Sequence, residues 1–190
     1  MEKQYREIKL PLEVRDISSE EDDFIIEGYF ALFNQETELW PGYFESIDPN
    51  AFTRTLKEQK DIKALFGHNQ AIVIGRTTSS TLELKVDEKG LFGKIKINKN
   101  DTEALNIYYR VKRKDIDQCS FGFVIIKEVS EQRNDNTVHT VIKDLELYEV
   151  SIVTFPAYEN TSVQARKKDF ENSKRNMHDA WKKKILERIK

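Results

Sequence analysis

The sequence predicts an α+β fold, mostly β with inserted helices: about seven strands in a small closed or nearly closed β-barrel, then a helical tail. Three observations predict it. Most of the 11 Phe and 7 Tyr fall inside short runs that alternate apolar with polar residues, the period of a half-buried strand. Only two stretches carry helix-start signals. The charge also changes sign near residue 165: Arg166 to Lys190 holds ten Lys/Arg against four Asp/Glu, and the residues before it hold 21 against 29. The chain therefore divides into a predicted barrel domain over 1–165 and a basic amphipathic helical tail over 166–190. Closure is expected because a barrel abolishes exposed strand edges.

In chain order, "YREIKLPLEV" and "DFIIEGYFALF" read as strands separated by the acidic turn "SSEEDD". "NQETELWPGYFESIDPNAF" reads as irregular and aromatic, with Pro41-Gly42 marking a turn. Asp48-Pro49 fits an N-cap followed by proline at the first helical position, so a short helix is predicted over 49–59. "DIKALFGH" alternates again, and "AIVIGRTTSSTLELKVDEKGLFGKIKIN" reads as strands turning at Glu88-Lys89-Gly90. Asn100 and Glu103 stand at capping-box spacing, and Leu105, Tyr108 and Val111 mark an amphipathic helix. Two long strands follow, "CSFGFVIIKEVSEQ" and "TVHTVIKDLELYEVSIVTF", joined by "RNDN" and ended by Pro156.

Composition excludes several classes. No apolar run approaches the roughly 20 residues a bilayer-spanning helix needs, and "MEKQYREIKLPLEV" lacks the apolar region of a secretory signal. One cysteine excludes an intramolecular disulfide and a Cys-rich zinc site, so a reducing, cytosolic setting is expected. There is no phosphate-cradling glycine loop, no Gly-x-Ser-x-Gly elbow and no His-Glu-x-x-His pair. No metal and no cofactor is implied.

Chemistry has few places to sit. Of the three histidines, His68 ends an alternating run in phase with Ile62, Ala64 and Phe66, so its ring stands at a strand tip. On the residues alone, the plainer reading is a half-buried histidine closing that strand. His139 takes a solvent-side position in its strand, and His178 lies in the basic tail. Ser120 sits two residues before Gly122, and glycine inside a strand marks a bulge or a close approach by another group. Glu149 lies in a strand that is apolar on both faces, in sequence phase with Leu145 and Leu147. A carboxylate there must be paired, either with an arginine such as Arg76 or with an imidazole that it orients. A serine nucleophile needs a base within hydrogen-bond reach, and the base needs a partner on its other nitrogen. His68, Ser120 and Glu149 fall on three predicted strands that a barrel can set side by side.

The ordered series "GYFALFN", "PNAF", "LFGHN", "IGRT", "GLFGKIKI", "SFGF" and "LYEVSIVTFPAY" resembles the prohead proteases of tailed bacteriophages, over about residues 8 to 165. These are capsid-maturation serine proteases distantly related to the herpesvirus assemblins. The resemblance implies a β-barrel serine endopeptidase with Ser120 as nucleophile, His68 as general base and Glu149 as the acidic member. The assemblins use a second histidine in the third position, which makes His139 the alternative there. The family's acidic residue after the histidine is here Asn69. Gly122 would let a substrate strand approach, and Arg76 or backbone N–H groups would meet the oxyanion.

The implied substrates are the major capsid protein, scaffold segments and the chain itself, cut inside the immature procapsid in the host cytoplasm. In the tail, Met177, Trp181, Ile185 and Ile189 recur at steps of four. That stripe suits packing on the barrel, a homo-oligomer contact, or docking to scaffold or capsid protein. Nucleic acid ranks third as a partner, since no base-reading motif accompanies the charge. The strongest rival reading is a catalytically idle scaffolding or capsid-binding module on the same barrel. A weaker one is an esterase-like hydrolase of small substrates, for which no dedicated pocket motif is visible.

Overall fold

Two long antiparallel strands form the spine of the structure, a computed structural model that describes residues 3–8, 12–14, 24–58 and 60–154. The predicted tail, with His178, lies outside them. Counted in chain order among the described residues, these spine strands are β10 (Gln118–Gln132) and β11 (Val138–Val153). They pair from Gln118 opposite Val153 to Gln132 opposite Val138, across the predicted turn at 133–136. β1 (Gln4–Ile8) pairs antiparallel with the first part of β10.

The other edge of β11 is shared by two parallel neighbours. β5 (Tyr43–Ile47) runs along Val138–Ile142, and β6 (Lys63–Phe66) runs along Glu149–Ile152. β4 (Thr37–Trp40) extends β5, and β7 (Asn69–Arg76) extends β6, so this sheet has seven strands. A second sheet runs in the order β2 (Glu13–Val14), β3 (Phe24–Leu32), β9 (Gly90–Ile97) and β8 (Leu82–Val86).

The expected barrel is not present. The described residues form two open sheets that share one core. Closure would need the end strands of each sheet to bond one another, and instead β8 and β2 end one sheet while β1, β4 and β7 end the other. Edges are blunted rather than abolished: β2 is only two residues long, and β8 carries Glu83 and Lys85. The mostly-β content with two inserted helices stands, with eleven strands where about seven were expected.

The helices shift within their predicted spans. α1 (Thr53–Lys57) starts late, because Asp48 Oδ1 accepts from the Asn50 amide in a local turn instead of capping a helix. α2 (Thr102–Lys112) is capped by Asp101, one residue past the expected Asn100. Asp101 Oδ1 accepts from the amides of Glu103 and Ala104, 2.9 and 3.1 Å away. The stretch read as irregular contains a hairpin, β4 to β5, turned at Pro41-Gly42, where Gly42 takes a φ of +81° that glycine tolerates without strain.

The core joins both sheets and both helices: Phe30 and Ile95 from the second sheet, Phe121 and Leu147 from the first, Phe52 beside α1 and Tyr108 from α2. Phe121 stacks on Phe123 at 4.8 Å, and Phe52 meets Phe121 edge-on at 5.8 Å. Truncating such a ring to alanine costs roughly 3–5 kcal/mol. This packing fixes one face of β10, and the opposite face carries the candidate site.

Candidate active site

Alternation along β10 sends Cys119, Phe121 and Phe123 into the core and turns Ser120 and Gly122 the other way. On β11 a bulge decides the matter. Phe123 pairs with Leu147 and Gly122 with Glu149, so Tyr148 is an extra residue and the strand's phase flips there. Leu145 and Leu147 face the core before it, and Val150 and Ile152 face the core after it. Glu149 and Ser151 are thereby carried onto the same face as Ser120 and Gly122. Ser151 stands directly opposite Ser120, and Glu149 opposite Gly122.

His68 arrives from the far edge. β6 ends at Phe66, and the chain turns through Gly67 and His68 with φ of +60° and +59°. A left-handed conformation is routine for glycine but costs a non-glycine residue about 1–3 kcal/mol, and it persists where the surroundings enforce it. Here Gly67 N donates to Ile152 O at 2.9 Å, and His68 N donates to Ser151 Oγ at 3.3 Å. The turn brings His68 Nδ1 to 2.6 Å from Glu149 Oε1. A carboxylate can only accept, so Nδ1 carries a proton, and a neutral ring so held has its lone pair on Nε2. Nε2 is buried and has no hydrogen-bond partner among the described residues. The other carboxylate oxygen, Oε2, accepts from Ser151 Oγ at 2.5 Å.

Glu149 therefore pairs with an imidazole and not with Arg76, whose guanidinium donates to both oxygens of Asp61 at 2.8 and 2.5 Å. Arg76 sits on β7 opposite Lys63, which in turn sits opposite Glu149, two strand spacings or about 10 Å away. The alternative third member, His139, lies ten residues before Glu149 on β11, on the order of 30 Å along the strand. There it shares a 2.9 Å hydrogen bond with Ser46.

Ser120 is fully buried, and its hydroxyl donates to the Arg6 carbonyl of β1 at 3.0 Å. The space beside Gly122 is filled from within: a Cβ there would meet Glu149 Oε1 at 2.7 Å and Tyr5 Cε1 at 2.9 Å. Tyr5, opposite Gly122 on β1, sets its ring edge-on to His68 at 4.5 Å. Burial first, and the Glu149 charge second, hold the Tyr5 phenol above its usual range. Cys119 is the neighbouring nucleophile by type, but burial pushes its thiol up to about 12 and its Sγ donates to Tyr29 O on the core side. Among the described residues, no group of three His, Cys, Asp or Glu side chains is arranged to hold a metal ion, and no helix is long and apolar enough to cross a membrane.

Sequence reasoning missed Ser151 and Tyr5. Ser151 was legible only as the second residue of an i, i+2 pair with Glu149, masked by its apolar neighbours. Tyr5 carries no local signal, because its place depends on β1 pairing with a strand more than a hundred residues away.

A histidine oriented by a carboxylate, on a sheet face that also carries a serine, is the arrangement that acyl transfer through a serine requires. Residues 11–176 match the family described as Caudovirus prohead serine protease, and the chain belongs to it. It is 28% identical over 149 residues to the prohead protease of Enterobacteria phage HK97, a match that covers 75% of this chain and 60% of that relative's length. The fold is similar to the capsid assembly protease gp21 of bacteriophage T4, with a TM-score of 0.55 at 10% identity, covering 81% of this chain and 98% of the other.

Proposed function

We propose that the chain is a prohead-maturation serine endopeptidase that cuts capsid and scaffold segments, and itself, inside the immature procapsid. The observation that carries this reading is the 2.6 Å contact between His68 Nδ1 and Glu149 Oε1, beside the sheet face that bears Ser120, with Nε2 left without a hydrogen-bond partner among the described residues. Family membership and the relatives' capsid-related names support the choice of substrate.

In the proposed mechanism the Ser120 hydroxyl turns from Arg6 O toward Nε2. His68 takes its proton as Oγ attacks the scissile carbonyl carbon, and Glu149 stabilises the imidazolium that forms. The tetrahedral oxyanion is met by backbone N–H groups, each donor worth roughly 3–4 kcal/mol; Arg76 on β7, engaged by Asp61, is too far from Ser120 to serve. Collapse breaks the C–N bond, and the departing amine takes the proton from Nε2. Water, deprotonated by the same nitrogen, then attacks the ester, and Ser120 recovers its proton as the acid product leaves.

One observation favours a second reading, an idle scaffolding or capsid-binding module: Ser120 is wholly buried and its hydroxyl is already engaged. Co-expression of the chain or its Ser120→Ala variant with the cognate major capsid protein, followed by intact mass, separates the two. The protease reading expects fragments with the parent and none with the variant. Equal processing by both removes Ser120 as nucleophile. Binding of the capsid protein by both, without cleavage, supports the idle module.

A further inference from the structure

Glu149 is held at both oxygens, and the second holder has no assigned part in the reaction. Oε1 faces His68, and Oε2 receives the Ser151 hydroxyl at 2.5 Å, within the range of a charge-assisted O–H···O bond. A serine hydroxyl has a single proton, so Ser151 Oγ is an acceptor toward its other neighbour, the His68 amide at 3.3 Å. The three contacts close a ring: imidazole to carboxylate, carboxylate to Ser151, Ser151 to the backbone of the residue that bears the imidazole.

We propose that Ser151 is a positioning residue, whose hydroxyl fixes the Glu149 carboxylate toward His68 Nδ1 and ties it to the turn that carries the imidazole. The proposal rests on the reading of His68 as general base. Two features make such a device necessary. The torsion that turns a carboxylate about its Cγ–Cδ bond is broad, so one hydrogen bond leaves the plane of the group poorly fixed. And His68 holds a left-handed φ of +59°, so the ring's position depends on bonds that keep an unfavourable turn in place. Ser151 serves both from one atom. It is fully buried, and β11 sets it two residues beyond Glu149 on the same face. Its hydroxyl meets the His68 amide rather than the ring, which separates its role from that of the nucleophile.

The test compares the full chain with Ser151→Ala and Ser151→Thr by three readouts: thermal midpoint, the ¹⁵N shifts of the His68 ring, and kcat and KM on a peptide spanning a mapped cleavage site. The parent is expected to show His68 protonated at Nδ1. Ser151→Ala is expected to show a mixture of the two tautomers and a kcat lower by on the order of 10–100-fold, by analogy with the loss of outer-shell partners that orient metal-bound histidines, with KM within about threefold. Restoring the hydroxyl in Ser151→Thr recovers both. Parent-like ring shifts and kcat in Ser151→Ala, or a loss confined to KM, overturn the proposal. Should Ser151→Ala not fold, Ser151→Cys keeps the volume with a weaker donor and carries the same comparison. Ser120→Ala run alongside separates the two failures: if it still cuts, the nucleophile assignment falls, while the His68 ring shifts still decide Ser151.

Discussion

Gly122 and Glu149 face each other across β10 and β11, and the carboxylate occupies the room that a side chain at Gly122 would need. The sequence leads one to expect a glycine that admits a substrate. In the structure that space holds the Glu149 carboxylate and the Tyr5 ring. Gly122→Ala should therefore leave the fold standing, at an overpacking cost of about 1–3 kcal/mol, because the obstructing atoms belong to side chains and not to the backbone. It should displace Glu149 from His68 and lower kcat at least tenfold. Urea unfolding together with single-turnover cleavage measures the two effects; a stability loss with unchanged kcat would show that the Glu149 contact is dispensable.

Glu149→Gln replaces an acceptor by a group that can also donate, so the partner of Nδ1 no longer dictates the tautomer. The expected loss in kcat is roughly 10⁴-fold, the scale of removing the acidic member of a triad, with little change in thermal midpoint. Steady-state kinetics beside calorimetry checks this.

Tyr5 stands edge-on to His68, while Ser120 and Nε2 are both closed off. The Tyr5 ring packs on the imidazole, so its removal opens that side of His68. Tyr5→Ala should raise the rate at which a small fluorophosphonate labels the folded protein, read by intact mass against time. A lower rate would make Tyr5 a support of the imidazole instead.

β1 is bolted to the sheet by a buried ion pair, Arg6 Nε to Glu45 Oε1 at 2.5 Å and Arg6 Nη2 to Glu45 Oε2 at 2.9 Å. Removing one partner leaves a buried charge. Arg6→Met should cost roughly 3–5 kcal/mol, and the double variant Arg6→Met/Glu45→Leu should regain most of it. Urea midpoints of the three proteins decide.

The Arg76 guanidinium, and next the Lys63 ammonium, hold the Asp61 carboxyl well below its usual range. A depressed carboxylate stabilises the fold fully above its unfolded value, about 3.9, and that stabilisation is lost as pH falls through the lower folded value. The thermal midpoint of the parent should therefore exceed that of Asp61→Asn at neutral pH, and the gap should narrow only below about pH 4. A constant gap down to pH 2 would mean that the pairing carries no linkage.

The strands were legible in the sequence because their alternation is local: β3, β9, β10 and β11 fall where Phe, Ile and Val recur at every second residue. Closure was not, because it depends on which edges meet, and no local pattern states that β11 shares one edge between β5 and β6. Glu149 illustrates the limit most sharply. In the sequence it is in step with Leu145 and Leu147, which points it at the core. A single extra residue, Tyr148, reverses the phase and delivers it to the face of Ser120 and His68. Bulges leave little trace in composition, so the residues alone leave the partner of Glu149 open between an arginine and an imidazole, and only the resemblance chooses His68. The β4–β5 hairpin had its Pro41-Gly42 turn in plain sight, but its strands are short and carry Glu38 and Glu45, which blur the alternation.

The most direct test of the account is the site of covalent capture. The parent and His68→Ala are treated with a fluorophosphonate, and the adduct is located by peptide mass. The account predicts one adduct, on Ser120, formed in the parent and absent from His68→Ala. An adduct on Ser151, or equal labelling of both proteins, would contradict it.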